Sequence, residues 1–457
     1  MRNVAILGGG ISGLAAAYYL ERERRAGAAV RWTLFESSDR LGGVVATDHQ
    51  DGFRIERGPD SFLTMKPSVS DLAKEMGIGD EMRPSLNAKV RTHILLNGKL
   101  IGLPEGMQMM VPGEVWPIVT SPLFSLSTKL RMAWEWLAPP EPLADDQDES
   151  VASFVERHFG REVLDRVASP LLAGVFGGDA SNLSARAVLP MMLAMEKKYG
   201  SLARGAMASQ KQKHGTGGSI FTTFRNGMQQ FTDAIVDRLD PARIELRAPV
   251  REVHRYYDQW RVVTADGRLE MYHNVIIALP SFVASDVLQK TDTPLAAELA
   301  AIPYASCMTV ALAYDKKTLP ALPEGYGFLV PSTEGRRMMA CTFVGHKFPD
   351  RVPEGGALIR TFFTEGIELS DEDTVSLARK ELQEILGITV APRFCKISRW
   401  PRAMAQYTVG HIKRVEGIQQ MLQAHSGLHL IGAAYRGIGM PDCVREAKET
   451  ALGILVG

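Results

Sequence analysis

Three short, mostly apolar runs punctuate the chain: Val4-Ala5-Ile6-Leu7, Val275-Ile276-Ile277-Ala278-Leu279 and Leu428-His429-Leu430-Ile431. Each ends at a glycine or proline, which predicts strands buried on both faces of a parallel sheet. Residues 14–24 follow the first run with Ala and Leu on one side and a charged end, the pattern of a helix. Residues 31–36 then return as a second strand.

The pattern changes between 85 and 227. Asn97-Gly98, flanked by apolar residues, predicts a hairpin. Helices are predicted over 127–137, 150–159, 162–172 and 187–196. Residues 138–149, rich in Pro and acids, read as an exposed loop, and 197–218 as a mobile one. Strands resume at 244–246, 250–253 and 260–264, with Asp266-Gly267 as a hairpin turn. A second sheet is expected within 281–406, including 308–313 and 357–363, with a helix over 374–386 packed on it. A glycine loop, Gly437-Ile438-Gly439-Met440-Pro441-Asp442, then feeds a helix over 443–455. This predicts an α/β fold in which a Rossmann-like domain is assembled from 1–84, 228–280 and 407–457. A helical cap occupies 85–227, and an inserted α+β substrate domain occupies 281–406.

The chemistry begins at Gly8-Gly9-Gly10-Ile11-Ser12-Gly13, which has the spacing G-x-G-x-x-G. Gly8 permits a tight turn, Gly10 lets a pyrophosphate approach the backbone, and Gly13 lets helix and strand pack closely. The helix N-terminus then offers free N–H groups and a positive dipole end to phosphates. Glu36, ending the second strand, is placed to accept hydrogen bonds from ribose hydroxyls. The loop Ser37-Ser38-Asp39-Arg40-Leu41-Gly42-Gly43 adds a cation and paired glycines. FAD needs such a loop, because its pyrophosphate is covered from a second side.

The 457 residues exceed what one core usually holds. Lys+Arg and Asp+Glu are both 52, so no overall field points to nucleic acid. Four scattered cysteines make neither a disulfide framework nor a zinc site, and no metal is expected. Three consecutive glycines interrupt any signal-peptide helix near the N-terminus, and no run reaches the roughly 20 apolar residues of a membrane span. Methionines gather between Met107 and Met207, and Trp116, Trp134 and Trp136 lie close together. Two readings fit: a small helical core, or a surface for flat ligands and membrane interfaces. Residues 197–232 carry six Lys or Arg and no acid. They read either as a solvated basic loop or as a face for carboxylates, anionic lipid or an acidic partner.

With Glu36 followed by Arg40-Leu41-Gly42-Gly43 and then by Gly58-Pro59-Asp60-Ser61, the sequence resembles the amine-oxidase-like FAD superfamily. Three stretches narrow the resemblance to the porphyrinogen oxidases of haem synthesis. They are Trp400 to Tyr407 with Gly410-His411, the Gly174-Val175-Phe176-Gly177 turn, and Gly432 to Cys443. Ala405 stands where that family usually has Pro, and Thr92 aligns where some members carry a propionate-binding Arg.

The resemblance implies non-covalent FAD held by Gly8, Gly10, Ile11, Ser12, Gly13, Glu36, Ser37, Arg40, Gly42 and Gly43. It adds Gly58 to Ser61, the Val250 backbone, Trp400, Gly432, Gly437, Gly439 and Met440. Arg91, Gly174 and Tyr407 are the expected substrate residues. The flavin carries the redox chemistry, so no protein residue is expected to be catalytic. The implied reaction is six-electron oxidation of copro- or protoporphyrinogen by O2, with coproporphyrinogen III slightly favoured. A flavin amine oxidase, a carotenoid-type desaturase and a non-catalytic porphyrin carrier are the alternatives. The expected location is the cytoplasm, with peripheral contact at the inner face of the membrane. The next enzyme of haem synthesis is a candidate partner.

Overall fold

The computed structural model describes residues 1–86, 92–108, 110–144, 147–213 and 219–456. At its centre is a five-stranded parallel sheet in the order Ile244–Glu245, Val30–Phe35, Arg2–Leu7, Asn274–Ile277, Leu428–Leu430. The apolar runs are buried on both faces, and alternation decides which residue goes where. Val4 and Ile6 pack under the first helix, Ile11–Arg25, and the last, Met440–Val456. Ala5 and Leu7 face the opposite layer, where Val253, Trp260 and Val262 of the 250–272 meander lie. Ala15, Ala16 and Ala17 let the first helix sit close to the strand, and Ala447 and Ala451 do the same from the last helix.

The second sheet has seven strands, ordered Phe394–Ala405, Tyr304–Asp315, Gly356–Phe363, Met338–Phe343, Gly327–Leu329, His93–Leu96, Lys99–Gly102. The Asn97-Gly98 hairpin is therefore the edge of this sheet, although the sequence grouped it with the cap. His93–Leu96 pairs in parallel with Gly327–Leu329, a contact no local signal announces. One face of the sheet packs under helix Asp371–Leu386. The other face meets Phe53 and Ile55 of the first domain.

The cap departs from expectation in three places. Residues 197–218 are no open loop throughout, since Leu202–Lys213 is a helix. Buried Glu135 draws it into place by accepting from the N–H groups of Leu202 (2.8 Å) and Ala203 (3.2 Å) and from the Ser201 hydroxyl (2.9 Å). The helix expected over 162–172 continues through a π-type turn into Ser169–Phe176, so the turn begins only at Gly177, in the left-handed region at φ 63°. The helix expected over 187–196 breaks at Leu189, before Pro190.

Beneath these helices His158 is sealed between Glu135 (3.1 Å) and Glu196 (3.0 Å). Burial alone would lower its pKa, but the two carboxylates outweigh burial and hold it above 6.5. The two readings of the Met and Trp cluster divide. Met110, Met132 and Met192 are core, whereas Trp116 is 74% and Trp134 64% exposed.

Candidate active site

The turn after the first strand carries Gly8 at φ 105°, where a side chain would also run into the Ala278 carbonyl. Gly13 presses on the Gly8 carbonyl oxygen so closely that any Cβ would collide with it. Gly10 differs. It caps the first helix in an ordinary extended conformation, no side chain caps that helix end, and a Cβ there would meet nothing within 4 Å. The loop of Gly42 and Gly43 closes over this space, and a Cβ on Gly43 would come within 3.2 Å of the Gly10 Cα. From the other side Gly432 approaches Ser12, whose Oγ would lie 3.8 Å from an added Cβ. A glycine-walled gap at an uncapped helix N-terminus fits the pyrophosphate of a dinucleotide. Ile11 and Met440 line the core beneath it.

Glu36 lies at the edge of the gap. Its carboxylate accepts from the N–H groups of Gly9 (2.7 Å) and Ser38 (2.8 Å) and from the Ser37 hydroxyl (3.2 Å). The chain before Val250 runs alongside, with the Ala248 N–H on the Glu36 carbonyl. Arg40 was expected to face the pyrophosphate. Its guanidinium donates to the carbonyls of Leu41 (2.8 Å) and Gly43, and so shapes the glycine loop.

The turn Gly58 to Ser61 abuts this loop, since a Cβ on Gly58 would collide with the Val44 carbonyl. Its other carbonyls are tied to the substrate sheet. Trp400 Nε1 donates to the Arg57 carbonyl (2.8 Å) and Arg360 Nη2 to that of Gly58 (2.8 Å). Asp60 accepts from Lys347 Nζ (2.9 Å) and from the Ser61 hydroxyl (2.6 Å). Burial would raise the Asp60 pKa, but Lys347 and Arg360 hold it far below the usual carboxylate range. Alongside, buried Arg351 pairs with Glu56 and reaches Thr223, while Glu56 also accepts from the Met228 N–H (2.7 Å). Lys347, Arg351 and Arg360 were missed by sequence reasoning. The one legible hint was a lone arginine amid Ala357-Leu358-Ile359-Arg360-Thr361-Phe362-Phe363.

The third loop, 432–440, is braced from below. Tyr407 was expected at the substrate, but its hydroxyl donates to the Ala433 carbonyl (2.9 Å) and accepts from the Gly437 N–H (2.8 Å). Its ring stacks on His411, which bonds the Tyr435 carbonyl (3.2 Å). Buried Glu446 accepts from the Gly432 N–H (2.8 Å), and burial raises its pKa. A side chain on Gly437, at φ 136°, or on Gly439 would meet Asp442. Asp442 in turn pairs with Lys66 (2.6 Å) and ties the last helix to the first domain. Burial pushes the Cys443 thiol up to about 12, so it is no thiolate nucleophile. Gly174 lies where the cap helix crosses the second sheet, its missing side chain 3.9 Å from Leu329. Arg91 lies outside the described residues.

The structure thus brings three glycine turns from distant parts of the chain to one cleft. The chain is similar to known proteins over nearly its whole length. The model of the flavin containing amine oxidoreductases matches residues 11–455. The coproporphyrinogen III oxidase of Bacillus subtilis is 32% identical over 98% of this chain and 96% of its own length. Human protoporphyrinogen oxidase is 29% identical over 99% and 98%. A crystal structure from Exiguobacterium sp. 255-15 superposes with a TM-score of 0.87 at 30% identity, covering 100% of this chain and 99% of its own.

Proposed function

This chain belongs to the flavin containing amine oxidoreductases, and we propose that it oxidises a porphyrinogen, coproporphyrinogen III in the first place, to the porphyrin in haem synthesis. The cofactor is FAD, and O2 is the proposed acceptor. One observation carries the substrate: the likeness to the coproporphyrinogen III oxidase of Bacillus subtilis runs through cofactor domain, cap and second sheet alike, over 98% of this chain.

When bound, FAD supplies the two-electron chemistry by taking hydride from a substrate carbon. Three such rounds remove six electrons and, with O2 as acceptor, release three H2O2. The chain's own groups bind and orient. The uncapped N–H groups after Gly10 and the loop of Gly42 and Gly43 hold the pyrophosphate, and Glu36 takes ribose hydroxyls. The 432–440 backbone, braced by Tyr407 and Glu446, supports the ring end, where N–H groups favour negative charge.

The amine-oxidase alternative meets an obstacle in the same cleft. Such an enzyme presents aromatic faces to a cationic amine, but the guanidinium of Arg57 already lies over the Trp400 ring, 5.9 Å from its centroid. Anaerobic coproporphyrinogen III mixed with the yellow protein should bleach the flavin, and air should restore it while porphyrin fluorescence grows. A flavin that stays oxidised would overturn the reading.

We further propose contact with anionic membrane through helices Val115–Thr120 and Leu126–Leu137. Trp116, Leu126, Leu130, Trp134 and Leu137 are 60–74% exposed there. Arg204 joins the basic stretch to this face by donating to the carbonyls of Trp136 (2.8 Å) and Leu137 (3.1 Å). Among the described residues no helix is long and apolar enough to cross a bilayer. Replacing Trp116, Leu130 and Trp134 with Ser should abolish sedimentation with phosphatidylglycerol vesicles and leave the melting curve in place, because none of the three is core.

A further inference from the structure

We infer that Arg57 is the cation that receives a propionate of the substrate, a role the sequence led us to expect of Arg91. The inference rests on the porphyrinogen reading above and adds the residue that holds the carboxylate.

The charges around the Gly58 turn decide it. Lys347 is paired with Asp60, Arg360 donates to the Gly58 carbonyl (2.8 Å) within the field of the same carboxylate, and Arg351 is paired with Glu56. Arg54 donates to the Asp350 carbonyl. Arg57 alone in this cluster has no carboxylate or carbonyl partner for its guanidinium among the described residues; it rests only on the π-face of Trp400. A guanidinium stacked this way keeps its N–H edge free, the geometry that grips a carboxylate with two parallel hydrogen bonds. The position is also fixed. The Arg57 carbonyl is held by Trp400 Nε1 (2.8 Å) and its N–H by the Ala46 carbonyl (2.9 Å), so the backbone beneath the side chain cannot swing.

Place supports charge. A ladder of close approaches runs from the pyrophosphate gap at Gly10 to Gly43, from Val44 to Gly58, and from Arg57 to Trp400 on the second sheet. Arg57 therefore stands, half-buried, at the seam between the first domain and the second sheet. A partly exposed guanidinium beside an aromatic face is open to a ligand carboxylate, which it can take with charge-assisted hydrogen bonds. The porphyrinogen's propionates are the substrate anions that can supply one, and the FAD content of the variant separates them from the cofactor's phosphates.

The test uses the FAD-loaded protein, titrating coproporphyrin III, which has four carboxylates, and its tetramethyl ester by fluorescence, and measuring KM and kcat for coproporphyrinogen III. Arg57→Gln should weaken coproporphyrin binding and raise KM about tenfold or more, the worth of one charge-assisted contact, with kcat little changed. FAD per chain and the flavin spectrum should match wild type, and Arg57→Lys should recover part of the loss. The ester should bind wild type and Arg57→Gln alike. Unchanged coproporphyrin affinity in Arg57→Gln overturns the inference. So does an equal loss for acid and ester, which would make Arg57 a packing partner of Trp400. If wild type binds coproporphyrin through Arg57 but oxidises no porphyrinogen, the proposed function fails while the carboxylate site stands.

Discussion

Gly10→Val will purify folded and colourless. The two halves of that result come from different features of one residue. Gly10 has φ −73° and ψ −178°, a conformation any residue adopts, and a Cβ there meets no protein atom within 4 Å. The apoprotein should therefore melt within a degree or two of wild-type apoprotein. The space a valine would fill is the gap between Gly10, Gly43 and Gly432, where the proposed site puts the pyrophosphate. FAD released by heat should fall from near one per chain to below detection. Gly13→Ala is the contrast. Its methyl group would collide with the Gly8 carbonyl, so that variant should lose the fold together with the cofactor. Wild-type FAD content in Gly10→Val would show that the dinucleotide lies elsewhere.

Arg351→Met should fold but melt well below wild type. Arg351 and Glu56 are 1% and 5% exposed at the side chain, and Glu56 is held by Thr47 (2.9 Å) and the Met228 N–H as well. Removing the arginine strands a buried carboxylate, which costs about 3–5 kcal/mol. At roughly 2–4 °C per kcal/mol for a chain of some 200 residues, and somewhat less for this longer one, the melting temperature should drop by several degrees. Arg351→Met with Glu56→Leu should recover much of the loss, since a buried pair replaced by apolar groups is often neutral. A single variant that melts with wild type would mean that Glu56 finds another partner or water.

What was legible in the sequence was local. The first strand, glycine turn, helix and second strand follow one another within 36 residues, and their spacing carries their geometry. The Asp266-Gly267 hairpin and the Asp371–Leu386 helix were readable for the same reason. Gly8, Gly10 and Gly13 could be named from spacing because the close approaches there depend on the absence of a side chain, and that absence is visible in the letters. The charge cluster was hidden because Glu56 meets Arg351 and Asp60 meets Lys347 from opposite ends of the chain, with nothing periodic between them. Tyr407 is a substrate residue only on the resemblance of its motif, which says nothing of where the hydroxyl points. Only the fold shows that its hydroxyl points into the 432–440 loop. Leu202–Lys213 looked like loop because its capping carboxylate, Glu135, belongs to another helix.

The strand order of the central sheet has a consequence for how the protein is made. Arg2–Leu7 leaves the ribosome first, yet one of its neighbours, Asn274–Ile277, is translated much later, and Leu428–Leu430 later still. Until then the first helix lacks the face that Val444, Ala447 and Ala451 cover, and Ser12 lacks Gly432. A nascent chain stalled before residue 428 owns the complete G-x-G-x-x-G motif and still has no closed FAD site. On the proposed site, cofactor loading is a late step of biogenesis, and FAD should co-purify only with chains whose synthesis has passed residue 440.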